Sequence, residues 1–110
     1  MTYRLGSVFR VDKFNVPLAS REEFMSKLQE SHALLDSLDG CIQNYILEKS
    51  SGLGCFNIVT FVEWRDQEAY EAARSFAQAR HQASAFEAQT MFEQLGIDTD
   101  IANYSVVPHA

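Results

Sequence analysis

Basic residues are scarce and scattered in this chain. Nine lysines and arginines stand against fifteen aspartates and glutamates, a net charge of −6. No two basic residues adjoin, so the phosphate-neutralising patch of a nucleic-acid binder is missing. The acidic excess keeps the chain soluble rather than marking a partner. No apolar run approaches the roughly 20 residues that cross a bilayer. Met1-Thr2-Tyr3-Arg4 lacks the basic segment and apolar block of a signal peptide, so the cytoplasm is the expected compartment. There are only two cysteines, Cys41 and Cys55. They begin two strands of a hairpin centred on Gly52, in which Cys41 would oppose Glu63. Cys55 then lies about 27 Å away along the strand. A disulfide needs Cα atoms within about 7 Å, so the two read as small buried hydrophobes. No Cys/His spacing suggests zinc.

What the chain does have is apolar residues, 46% of the total, and aromatics, 12%. That suffices for a core, and 110 residues make one domain, 1–110. The organising stretch runs from Phe56 to Tyr70. Its first half is β-branched and aromatic on nearly every residue, as in a strand buried on both faces. It turns at Arg65-Asp66 into a helix, with Asp66 as N-cap and Glu68 in the positive first turn.

The other elements follow from the same kind of pattern. Leu5 to Val16 is the first strand, stopped by Pro17. Ser20-Arg21-Glu22-Glu23 matches a capping box, and its helix carries Phe24, Leu28, Ser31, Leu35 and Leu38 at helical spacing until Gly40 ends it. Cys41 to Lys49 is the second strand. Asp66 to Leu95 contains neither proline nor glycine and is helical. Capping-box patterns at Ser75 and Ser84 place a break near Ser75. The later part buries Phe76, Ala79, Ala83 and Phe86, and Gly96 caps it. Ile101 to Val107 closes the chain as a fourth strand.

The order β-α-β-β-α-β is the α+β ferredoxin-like plan, an antiparallel sheet with helices on one face. The other face would carry apolar side chains from every strand. A homodimer that packs two such sheets together removes that patch from water.

The junction Trp64-Arg65-Asp66-Gln67-Glu68-Ala69-Tyr70 resembles that of the antibiotic biosynthesis monooxygenase domains, of the dimeric α+β barrel superfamily. The likeness extends to the Phe9–Val16 strand, Glu22-Glu23-Phe24, the Gly40 lead-in to strand two and the closing strand. It implies a homodimer with a pocket between sheet and helices in each protomer. The monooxygenase branch needs no cofactor. Its phenolic substrate, once deprotonated, passes an electron to oxygen within an apolar cavity. An Asn four residues before the Trp, the Trp, a Tyr six residues after it and an Arg on the last helix are implicated there. Trp64 and Tyr70 match, Thr60 stands at the Asn position, and Arg80 lies near the Arg. In the haem-degrading branch a strand-one Asn, a helix Trp and a ligand His are used. Here those positions read Asp12 or Arg10, Ala73 and, approximately, His81. A further branch carries two His where this chain has Ala73 and Gln78.

Each candidate has two readings. The Trp64 indole N–H bonds a substrate oxygen, or it is satisfied by backbone in the core. Tyr70 shares a face with Ala73 and Ala77, which leave space, so its phenol either holds a substrate anion or has an internal partner. His32, at the margin of the first helix's apolar stripe, is a general base or a packing residue. His81 is expected to face solvent. Arg10 and Asp12, on one strand face, orient an anion or form a structural ion pair. The reading adopted is a cofactor-independent oxygenase acting on a small polycyclic phenol or quinol, with Tyr70 and Trp64 catalytic and Thr60, Arg80 and His32 binding the substrate. A haem-binding or haem-degrading protein and a non-catalytic dimer that binds a small apolar molecule are the alternatives.

Overall fold

Strand pairing follows from which residues tolerate burial on both sides. The most apolar strand lies inside the sheet and the most polar at its edge. The computed structural model describes residues 4–80 and 84–109, with side chains outside 78–87. The elements are β1 (Val8–Asn15), α1 (Arg21–Leu35), β2 (Cys41–Glu48), β3 (Ile58–Trp64), α2 (Gln67–Arg80), α3 (Ser84–Leu95) and β4 (Asp98–Tyr104), with one 3-10 turn at Leu18–Ser20. The sheet order is β2-β3-β1-β4, every pair antiparallel. This is the expected ferredoxin-like arrangement.

The register sorts side chains into two faces. One face carries Phe14, Ile58, Thr60, Val62 and Trp64, all buried beneath the helices. Here two cores form at opposite ends. Phe14, Val16, Phe24, Ile58 and Ile97 make the first, with Phe92 and Leu95 of α3 packed on it. The rings of Phe14 and Phe24 meet edge-on at 4.9 Å, a favoured aromatic geometry. Val62, Trp64 and Tyr70 make the second, with Leu35 and Leu38 against it. Among the described residues no helix covers the opposite face. Tyr45, Leu47 and Tyr104 lie there 52%, 51% and 45% exposed, beside Phe9 and Phe61, whose rings are 5.5 Å apart. Glu63 is buried on that face, accepting from Ser7 Oγ and Gln43 Nε2, each at 2.7 Å. Among the described residues no helix is long and apolar enough to cross a membrane.

Several local expectations change. Ser20 does not cap α1. Its backbone is helical rather than extended, and its hydroxyl donates to Leu95 O at 2.8 Å, tying α1 to the end of α3. α1 stops at Leu35, so Leu38 packs from a turn instead of a helix. α2 passes through Ser75 without a break and is described as helix as far as Arg80, and α3 starts at Ser84. The capping-box pattern at Ser75 comes with no proline or glycine to stop the helix there. β1 and β3 begin later than expected and β4 begins and ends earlier. Phe76 is 45% exposed, not buried, and Ala79, Ala83 and Phe86 lie outside the described side chains. Cys41 opposes Trp64 rather than Glu63, since a bulge shifts the register between Cys41 and Gln43. Both cysteines are free, and Cys55 is exposed rather than buried.

Asp66 caps α2 as expected, accepting from Ala69 N at 2.8 Å. Gly40 takes φ +87°, a left-handed geometry, and a Cβ there would stand 2.5 Å from Ala69 Cβ. Its carbonyl accepts from Arg65 N at 2.8 Å, locking the start of β2 to the β3–α2 junction.

Candidate active site

Between the two cores, the middle of the sheet is polar. Two cross-strand rows face the helices. One reads Asn44, Val62, Arg10, Asn103 and the next Ile46, Thr60, Asp12, Ile101. Large apolar side chains at each end hold the helices off this strip, and a cavity of about 530 Å³ remains. That volume lies within the range of small-molecule sites, roughly 300–1,000 Å³. Its walls are mainly apolar: Leu28, Leu34, Leu35 and Leu38 from α1 and the turn after it, Phe14, Val62 and Trp64 from the sheet, and Ala73, Phe76 and Ala77 from α2. Arg10, Asp12, Ser31, His32, Thr60, Tyr70 and Arg74 supply the polar atoms.

Trp64, Tyr70, Thr60 and His32 all line this one cavity. Trp64 ends β3, and Asp66 starts α2 within one turn, so the Trp64 and Tyr70 rings are held with centroids 6.5 Å apart. The Arg80 side chain and His81 lie outside the described residues.

Arg10 and Asp12, read as a choice between anion site and ion pair, prove to be an ion pair inside the cavity. Arg10 Nε donates to Asp12 Oδ1 at 2.6 Å. The same guanidinium donates from Nη1 to the Tyr70 hydroxyl oxygen at 3.0 Å. Burial opposes the Arg10 charge, but the Asp12 hydrogen bond and charge, with Tyr70, outweigh it and keep the guanidinium firmly protonated. For Asp12 burial wins. It raises the carboxyl above its ordinary range, against the hydrogen bond and charge of Arg10 and the weaker pull of His32. Sequence reasoning found this pair but left both residues outside the chosen set. Their i, i+2 spacing put them on the helix-facing side, and Phe14 and Val16 in the same phase marked that side as buried.

His32 Nδ1 lies 3.0 Å from Asn44 Oδ1, and Asn44 Nδ2 donates to Asp36 Oδ1 at 2.7 Å. The arrangement therefore offers a phenol oriented by a guanidinium, a carboxylate with raised affinity for a proton, and an imidazole held to the sheet, all bordering apolar space. It suits an aromatic molecule with an acidic hydroxyl. Among the described residues no three His, Cys, Asp or Glu side chains are grouped to hold a metal ion.

Comparison with known proteins places the chain in a family. SnoaB, a cofactor-independent oxygenase from Streptomyces nogalater, superposes with a TM-score of 0.68 at 20% identity, over 94% of this chain and 96% of that one. A conserved protein from Methanosarcina mazei gives 0.68 at 18% identity, over 92% and 93%. A dimeric protein of unknown function and ferredoxin-like fold from Bacteroides fragilis gives 0.63 at 14%, over 94% and 100%. Among curated proteins none matches this sequence. The model of the antibiotic biosynthesis monooxygenase family matches residues 7–87, from the start of β1 into α3, and the chain belongs to that family.

Proposed function

We propose that this protein is a cofactor-independent monooxygenase, acting as a cytoplasmic homodimer on a small polycyclic phenol or quinol. The observation that carries the reading is the Tyr70 hydroxyl, held at 3.0 Å by Arg10 and bordering an apolar cavity beside Trp64. Deprotonation of the substrate hydroxyl gives an electron-rich anion that reduces oxygen. For a ring methylene the balance is one substrate plus O₂ giving the ring ketone plus water. Both carbon–hydrogen bonds break, one oxygen atom becomes the ketone, and O₂ takes up all four electrons. The chain's own groups bind and orient. Tyr70 and Trp64 meet the ring oxygens, Arg10 offsets the anion's charge, Thr60 and His32 line the floor and wall, and the leucines of α1 exclude water.

Membership in the monooxygenase family and the likeness to SnoaB support this reading. The helix-free sheet face supports the dimer. Tyr45, Leu47 and Tyr104 would leave water when two sheets pack together. The test is oxygen uptake with a panel of anthrones and naphthoquinols, preceded by a thermal-shift screen that also includes haem. A folded-state ligand raises the midpoint by mass action. Turnover that survives unchanged in Tyr70→Phe/Trp64→Phe would sink the proposal, and a shift with haem alone would turn it toward haem chemistry.

A further inference from the structure

The His32 ring meets β2 through one hydrogen bond, and its partner there has no freedom of orientation. Asn44 has Nδ2 2.7 Å from Asp36 Oδ1 and Oδ1 3.0 Å from His32 Nδ1. An ionised carboxylate only accepts, so the amide NH₂ must face Asp36. Cys41 Sγ, 3.8 Å from the same Nδ2, adds a second acceptor on that side. A reversed amide would set two oxygens against each other at 2.7 Å. The Asn44 oxygen is therefore turned to the imidazole, and an amide oxygen also only accepts. Nδ1 must carry a hydrogen, and in the neutral ring the lone pair then falls to Nε2.

We infer that Asn44, anchored by Asp36, is a positioning residue that holds His32 as its Nδ1–H tautomer, so that Nε2 accepts the proton of an acidic hydroxyl bound in the cavity. This rests on the phenol-oxidising reading of the site and gives it a base. The proton passes from substrate oxygen to Nε2, and the oxygen keeps the electron pair. The imidazolium that results finds negative charge on two sides. Asp36 from the end of α1 acts through Asn44, and Asp12 of β1 interacts directly with the ring's charge. Arg10 on β1 is occupied by Asp12 and Tyr70, and Arg74 of α2 lines the cavity wall. The device depends on the β2 bulge, which brings Cys41 and Asn44 within reach of each other across the register shift.

The test is a long-range ¹H–¹⁵N correlation spectrum of ¹⁵N-histidine-labelled protein, above the pH at which the ring becomes neutral. In the wild type His32 should show a pyrrole-type Nδ1 and a pyridine-type Nε2. Asn44→Leu should move the ring toward the Nε2–H form that an unrestrained histidine side chain prefers in water, and Asp36→Ala should do so in part. With a quinol that the wild type oxidises, His32→Gln should lower kcat about 10²-fold and Asn44→Leu about tenfold, with KM within about twofold. An Nε2–H ring in the wild-type protein overturns the inference whether or not any variant folds. So does an unchanged tautomer, or an unchanged kcat, in Asn44→Leu. If the wild type oxidises no quinol, it is the oxygenase reading that fails, and the nitrogen spectrum still decides the positioning role.

Discussion

Replacing Gly40 with alanine should be among the costliest single-methyl changes in this chain, and the cost divides into two separable parts. The first is conformational. At φ +87° an L side chain sits in the left-handed region, at about 1–2 kcal/mol. The second is steric. The new Cβ would lie 2.5 Å from Ala69 Cβ, where apolar carbons prefer about 3.5–4.0 Å. A methyl on a helix cannot rotate away, so α2 or the start of β2 must shift, an overpacking cost of about 1–3 kcal/mol. The total is about 2–5 kcal/mol, a large share of the stability of a domain this size. Adding Ala69→Gly removes the steric part and leaves the φ cost, while weakening the helix by about 0.5–1 kcal/mol. A double-mutant cycle in urea, at fixed protein concentration, should therefore return a favourable coupling of about 1–3 kcal/mol. Additive effects, or a Gly40→Ala variant within about 1 kcal/mol of wild type, would refute the close packing of β2 on α2.

Tyr70→Phe should reduce oxygen uptake with an accepted quinol by about 10–100-fold, since it removes the phenol that Arg10 orients; unchanged kcat/KM would reject Tyr70 as catalytic. Asp12 holds its proton to a higher pH in the fold than in the unfolded chain, so its contribution to stability is present at low pH and declines as pH rises from its ordinary value of 3.8 through the raised one. Thermal melts of wild type against Asp12→Asn should thus move in the variant's favour over that rise. Asp66 has the opposite sign. The Ala69 amide lowers its pKa, so its contribution is present above 3.8 and fades as pH falls through the lowered value. The penalty of Asp66→Ala should shrink in acid, and a pH-independent penalty would remove the charge from the explanation. By light scattering the wild type should give a dimeric mass, and Leu47→Lys with Tyr45→Glu, on the helix-free face, a monomeric one.

The topology was legible because three patterns agreed. β3 is apolar in both phases, Asp66 can only be read as a helix start, and Gly40 and Gly96 bracket elements with φ +87° and +70°. The gathering of Trp64, Tyr70, Thr60 and His32 around one cavity followed from that topology and the family likeness. What escaped depends on partners distant in sequence. Ser20 matched a capping box, yet its hydroxyl goes to Leu95, 75 residues away. The bulge after Cys41 has no glycine to announce it, so the phase of β2 was read one residue out at its start. Asn57, on the loop side of β3, has no local pattern that marks its role. Its amide accepts from Val16 N at 2.8 Å and donates to Val16 O at 2.9 Å, completing backbone pairing where β1 ends. The link from Arg10 to Tyr70 spans 60 residues and needs the β1–β3 register, which no local pattern contains.

The separation of the buried cluster around Phe14 and Phe24 from the one around Trp64 has an evolutionary reading. Folding free energy is concentrated at the two ends of the sheet, and the chamber lies in the span between them. Ser31, Leu34 and Ala77 line the chamber and belong to neither cluster, so they can change size or polarity while Phe24 and Ile58 continue to hold the architecture. Such a chamber can change shape by altering a few wall positions. That fits the 14–20% identity that this chain keeps with SnoaB and the Bacteroides fragilis protein over nearly its whole length.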